Sequence, residues 1–129
     1  LKLVFPDHSD YPKEIIKGFY KFCQENKMQH ILVSNLKNEK IEAGTCYINI
    51  AEKDLVVLIE KINKKNLLVG TDVGLISYNE TPLKKYILNG ITTISTDFDF
   101  MGKAAAQLIL TNSTQHIEVP FHLIIRDSI

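Results

Sequence analysis

Residues 73–98, VGLISYNETPLKKYILNGITTISTDF, constrain the fold more than any other part of the chain. The apolar run at 73–77 reads as a buried strand, and it breaks at a polar turn made by Tyr78, Asn79, Glu80, Thr81 and Pro82. A second apolar stretch then carries the paired threonines Thr92 and Thr93 into an acidic helix start. Continuous apolar runs of this length suit strands of a parallel sheet covered on both faces.

The remaining segments alternate in the same way. Residues 1–5 form a short apolar strand ended by Pro6, and the turn that follows holds Asp7, His8, Ser9, Asp10 and Tyr11. Pro12 suits a first helical turn, and Ile15, Ile16, Phe19, Tyr20, Phe22 and Cys23 then recur at three-to-four-residue spacing, which predicts a helix with one buried face. Strands are predicted at 30–34 and 45–50, with a polar loop at 35–40 between them. Glu52 opens a second helix whose stripe is Leu55, Leu58, Ile59 and Ile62, with Lys53, Glu60, Lys61, Lys64 and Lys65 facing water. Acid at its start and lysines at its end both suit the helix dipole. Residues 73–78 give the fourth strand, 91–94 an extended stretch, and 98–110 a third helix with an Ala-rich face. From 117 to 125 apolar and polar residues alternate, a strand of period two, and Pro120 confines it to an edge or a bulge. Strands alternating with helices imply an α/β three-layer sandwich with a mostly parallel sheet, formed by residues 1–129 as one domain.

Composition narrows the function classes. At 129 residues and 45% apolar content the chain can bury a core. Fifteen basic residues balance fifteen acidic ones, so no summed field draws it to nucleic acid or to an anionic membrane. Cys23 and Cys46 sit in apolar periodic runs as reduced thiols, which does not indicate a disulfide scaffold. No apolar run approaches the roughly 20 residues of a membrane span, and a cytoplasmic protein is the expectation. The chain opens without Met, directly on LKLVF, as an excised C-terminal fragment of a longer polypeptide would.

In an open parallel sheet, ligands bind beyond the carboxyl ends of the strands. Topology therefore selects Asp7 and Tyr11 after strand one, Asn35 after strand two, Ala51 and Glu52 after strand three, and Asn79 and Glu80 after strand four. Carboxylates and amides on one rim suit polyol recognition, because each exchanges two hydrogen bonds with neighbouring hydroxyls. Taken singly, each is also an ordinary helix cap or solvated turn residue. The chain holds no G-x-S-x-G elbow, no Walker A loop and no G-x-G-x-x-G fingerprint. His8, Ser9 and Asp10 are adjacent and cannot form a triad in series, and the other histidines are scattered, so no catalytic residue, metal site or cofactor is expected.

The strand, the polar turn and the ITTI segment together closely resemble the strand, "G-Y-D-D" turn and "P-x-L-T-T-I" segment of the lactose/galactose-repressor family. The sensor of that family is a two-lobed, periplasmic-binding-protein-like domain, and the resemblance implies that this chain is its C-terminal portion. Glu52 falls on the Asp of the family's effector-binding "N-D" motif, with Ala51 in place of the Asn. Lys17, Gly18 and Phe19 are similar to the family's "R-x-x-G-F" helix, but Ile15 stands where the sugar-binding Arg is found. Three alternatives follow: Lys13 supplies the charge, the effector differs in kind, or a standard sugar is no longer bound. Residues 101–104 resemble "x-G-x-x-A", and VPFHLIIRDSI resembles the closing "P-x-x-L-x-x-R-x-S", with Arg126 and Ser128 on its last two positions. The family's helix between strands two and three is reduced here to residues 36–43.

The resemblance implies an effector-sensing, dimerising part of a bacterial transcription regulator, taking a sugar or sugar derivative and reaching DNA only through an N-terminal head outside this sequence. The wording LISYNETPL and GITTIST is similar to sensors fused to a gluconate-repressor-type winged helix. The alternatives are a sugar-binding protein of a transport system, which shares the fold, and a small receiver-like domain. It also implies that residues 91–110 belong to the other lobe, so the third helix would either pack back on its own lobe or dock on a second copy of the chain.

Overall fold

A computed structural model describes residues 1–129. Five strands run parallel, β1 (Lys2–Val4), β2 (Ile31–Val33), β3 (Thr45–Asn49), β4 (Val73–Tyr78) and β5 (Thr92–Thr96), and β6 (Phe121–Ile124) closes the far edge antiparallel to β5. The spatial order is β2-β1-β3-β4-β5-β6. Three helices complete the chain, α1 (Glu14–Glu25), α2 (Glu52–Lys64) and α3 (Phe98–Leu110). None of them is long and apolar enough to cross a membrane.

Alternation along the strands feeds two cores. Leu3, Phe5 and Ile50 meet Phe19 and Cys23 of α1 on one face, while Val4, Val33, Tyr47, Val73 and Leu75 meet Leu55, Leu58 and Ile62 of α2 on the other. Neighbouring residues of β1 thus point to opposite layers, which is the period of two at work. Right-handed crossovers require this split, because β1 to β2 and β3 to β4 step in opposite directions across the sheet. The three-layer sandwich read from the sequence is the observed architecture.

Between β2 and β3 no helix forms, and Leu36 and Ile41 drop from the loop into the α2-side core. That loop is fixed by charge. The Lys61 ammonium donates to the carbonyl of Leu36 and to those of Lys37 (3.1 Å) and Glu39 (3.0 Å). Lys2 meets Glu39 at 2.6 Å beside the buried Tyr47 hydroxyl. Lys61, assigned to the water-facing side of α2 from its sequence, is therefore a strap over this loop. The assignment missed it because periodicity ranks side chains by direction, and a long amine can curl back toward protein acceptors.

The C-terminal segment stitches β4 to β5 where the two diverge. The Leu75 amide donates to the Ser128 carbonyl (2.7 Å), the Thr92 amide to the Ser128 hydroxyl (2.8 Å), and that hydroxyl in turn to the Leu75 carbonyl. Gly70 lets this segment pass, since a Cβ there would lie 1.9 Å from the Asp127 carbonyl oxygen. Arg126 forks onto both oxygens of Glu80 (2.9 and 3.0 Å) and reaches the Ile91 carbonyl.

Of the two packings expected for α3, back onto its own lobe or onto a second copy of the chain, the first is not observed. No residue of α3 is buried, and Ile109 and Leu110 are 79% and 82% exposed. Its one anchor is Asp97, whose carboxylate caps the Phe100 amide at 2.8 Å. The predicted period-two strand forms only over Phe121–Ile124, at the sheet edge that Pro120 demanded.

The Arg126–Glu80 pair carries a pH signature. Burial acts against the Glu80 charge, but hydrogen bonds from Arg126 and Thr93 outweigh it and hold the carboxyl below the usual range. A depressed carboxyl adds stability that is complete above its unfolded value of about 4.3 and is lost as pH falls through the folded one. Arg126→Met is expected to lose roughly 2 kcal/mol in urea titrations at neutral pH, because it strands a mostly buried carboxylate. Its stability should also fall less than wild type between neutral pH and the acid limb, and an unchanged pH profile would remove the pair from the account.

Candidate functional site

Parallel pairing brings every β1–β5 carboxyl end to one rim. The strand order reverses between β1 and β3, since β2 lies on one side of β1 and all later strands on the other. Loops leaving such a switch point part in opposite directions and open a crevice. A cleft of about 430 Å³ lies there, lined by Pro6, His8, Ser9, Asp10 and Tyr11 after β1 and by Ala51 and Lys53 at the start of α2.

Tyr11 spans the cleft toward β4, meeting Tyr78 edge to face with ring centroids 5.8 Å apart. Tyr78 also borders a wholly apolar crevice of about 180 Å³ made by Ile15, Ile48, Ile50, Ile94 and Phe121. Ile15 therefore builds an apolar wall at the start of α1, where the resembling family has an arginine. A third depression of about 290 Å³ runs from Glu80 past Ser95, Asp97 and Phe98 to His122.

The six residues selected from the sequence have unlike surroundings. Tyr11 lines the cleft, whereas Asp7 is exposed beside it and is not among its lining residues. Asn35 is exposed and spends its side-chain oxygen on the Lys37 amide (2.7 Å), an Asx turn beyond the edge strand β2. Glu52 opens α2 with a 59% exposed side chain and pairs with Lys84 at 2.9 Å. Asn79 takes the left-handed conformation (φ 60°), which Asn tolerates better than most residues. Its amide donates to the Ile94 carbonyl (2.8 Å), and its side-chain oxygen is buried without a partner. Glu80 is fully engaged by Arg126 and Thr93.

Glu52 and Asn79 are joined through one residue the sequence reading did not single out. Lys84 lies in the 3-10 turn Pro82–Lys85 with only 1% of its side chain exposed. Its ammonium donates to the carbonyls of Tyr78 (3.1 Å) and Asn79 (2.8 Å) and forms the ion pair with Glu52. A lysine beside a second lysine after a proline carries no sequence sign of burial. Asn49 was missed as well: it ends β3 fully buried, donates to the Ala51 carbonyl (2.8 Å), and leaves its own oxygen unpartnered.

The unpartnered buried polar side-chain atoms are Ser9 Oγ, Asn49 Oδ1, Ser77 Oγ, Asn79 Oδ1 and Thr81 Oγ1. All five belong to strand carboxyl ends or to the loops that follow them. Buried polar groups are rarely left unpaired, so this concentration is unspent hydrogen-bonding capacity on one rim. Tyr11 and Tyr78 add an aromatic stacking surface to the same rim.

No curated protein matches the chain in sequence. Among solved structures, the Lac repressor bound to ONPG in its repressed state superposes with a TM-score of 0.75 at 21% identity, over 99% of this chain and 44% of that one. A dimeric Lac repressor with an 11-residue C-terminal deletion gives 0.77 at 21% identity, over 98% and 53%. A LacI family transcriptional regulator from Mycobacterium smegmatis gives 0.73 at 12% identity, over 99% and 56%. At these identities the likeness is one of fold, and this chain spans about half the length of each. A family model described as periplasmic binding protein-like domain matches residues 2–129, and the chain belongs to that family.

Proposed function

We propose that residues 1–129 are the C-terminal part of the effector-binding sensor of a bacterial transcription regulator, and that the effector is a sugar or sugar derivative gripped at the β1–β3 switch point. The supporting observation is the set of unpartnered buried oxygens at the strand carboxyl ends, of which Ser9 lines the cleft bounded by Tyr11 and Ala51, with Asn79 and Glu52 on the same rim. Hydroxyl groups both donate and accept, and neighbouring sugar hydroxyls can meet several rim groups at once. The apolar wall at Ile15 favours a guest that needs no guanidinium clamp there.

The second lobe, on this reading, lies in the half of the relatives' length that the chain does not cover, and residues 91–110 pack against it. The exposed apolar face of α3 supports that placement. DNA is reached through an N-terminal head of gluconate-repressor winged-helix type in a cytoplasmic protein. Differential affinity of the effector for two lobe arrangements then shifts how paired heads are spaced. Pairing is by a homodimer through Val56, Leu83 and Tyr86, large apolar side chains exposed beside the Lys84–Glu52 contact; Tyr86 is 81% exposed.

A thermal-shift screen of the intact polypeptide against neutral aldopentoses, aldohexoses and their 6-phosphates tests the effector. A binder present at 100 times its Kd is expected to add about 2.7 kcal/mol of stability. Asn79→Gly is the control, because glycine keeps the left-handed turn while deleting the amide, and it should abolish the shift. A panel that stabilises nothing, or a shift that survives in Asn79→Gly, would remove the sugar site. For the dimer, Tyr86→Glu should convert the intact protein to a monomer in sedimentation analysis, and an unaltered dimer would exclude this patch.

A further inference from the structure

Resting on the ligand-binding reading above, we propose that Lys84 is the positioning residue of the rim, holding Asn79 and Glu52 at one fixed spacing so that both address a single guest. Three facts carry this. The ammonium is buried and meets three oxygens on two different elements: it donates to the carbonyls of Tyr78 and Asn79 on the β4 turn and ion-pairs with the carboxylate of Glu52 at the start of α2. It therefore cannot touch a ligand itself. The turn it grips is in the left-handed conformation, which the captured Asn79 carbonyl helps to hold.

The Glu52 side chain, by contrast, is mostly exposed, and the ion pair uses Oε2, leaving Oε1 for a guest. The guest thus meets a carboxylate whose charge is already balanced from below. Such a group accepts from a neutral hydroxyl without demanding a cation, so Lys84 also sets specificity: neutral sugars over their 2-amino counterparts. Without the ammonium, Glu52 becomes an uncompensated anion that prefers the amino sugar.

The intact polypeptide tests this in two arms using Lys84→Met, Glu52→Gln and the double variant. In hydrogen exchange, Lys84→Met should speed the Asn79 and Glu80 amides, which donate to the Ile94 carbonyl and the Ser95 hydroxyl, by about tenfold relative to Leu58 in α2. The double variant should be more stable in urea than Glu52→Gln, which leaves the buried Lys84 ammonium without its carboxylate, while those two amides stay fast. Amides that keep wild-type exchange in Lys84→Met, or that slow again in the double variant, overturn the proposal.

In binding, glucose and galactose are compared with glucosamine and galactosamine. Lys84→Met should weaken whichever neutral sugar binds wild type by about tenfold, and the amino sugar by clearly less. Equal losses for both sugars would make Lys84 merely structural and overturn its role in specificity. If neither neutral sugar binds wild type while the rim amides respond as expected, the sugar reading fails and the tie across the rim stands.

Discussion

Parallel hydrogen bonding among β1 to β5 is the constraint from which the rest follows. A parallel neighbour is reached only by a crossover, so the connections must lie on the sheet faces and the carboxyl ends must gather on one rim. The reversal of strand order at β1 then decides two things at once. It sends α1 and α2 to opposite faces, giving two separate cores, and it parts the loops after β1 and β3, giving the cleft. Site and scaffold are thus products of one topology, and no residue of the cleft had to be placed independently of the fold.

Long cationic side chains do work in this chain that helices do elsewhere. Lys61 pins the loop that stands in for a β2–β3 helix, Lys84 joins the β4 turn to α2, and Arg126 fastens the C-terminal segment to the turn after β4. In each case the cation meets backbone carbonyls, and Lys84 and Arg126 meet carboxylates as well. Carbonyl oxygens in irregular segments lack ladder partners and are costly to bury. A buried ammonium or guanidinium satisfies several at once, but only where a carboxylate or water balances its charge. That requirement explains why Glu52 and Glu80, both chosen as ligand residues for their rim position, are already tied to cations.

The sequence was most legible where period and length decide. The strands, the three helices and the edge placement of β6 follow from alternation, three-to-four spacing and Pro120, and the rim follows from strand order. Legibility ended at side chains whose partners are distant in sequence. Glu80 and Arg126 are 46 residues apart, and Lys61 and Leu36 are 25 apart. Nothing local distinguishes Lys84 from its exposed neighbour Lys85. Asn35 was chosen by topology, yet its own two-residue turn satisfies it more cheaply than a ligand would.

The third helix shows where local rules and burial disagree. Its 13 residues are rich in alanine and leucine and carry an Asp97 cap, so local propensity favours a helix. Isolated helices shorter than about 12–15 residues are nevertheless marginal in water, and most helices depend on burying one face. Here Phe98, Phe100, Met101, Ile109 and Leu110 are all exposed, and at roughly 25 cal/mol per Å² such surface is a substantial unrealised stabilisation. Asp97 meanwhile binds the chain on its way out and on its way back, through its amide to the Pro120 carbonyl (3.0 Å) and through its carboxylate to His122 (3.2 Å). The two crossing segments are therefore clasped at the sheet while the helix between them is not packed against it. A clasp fixes the direction in which α3 leaves, and direction matters only if the face it presents is covered by something beyond these residues.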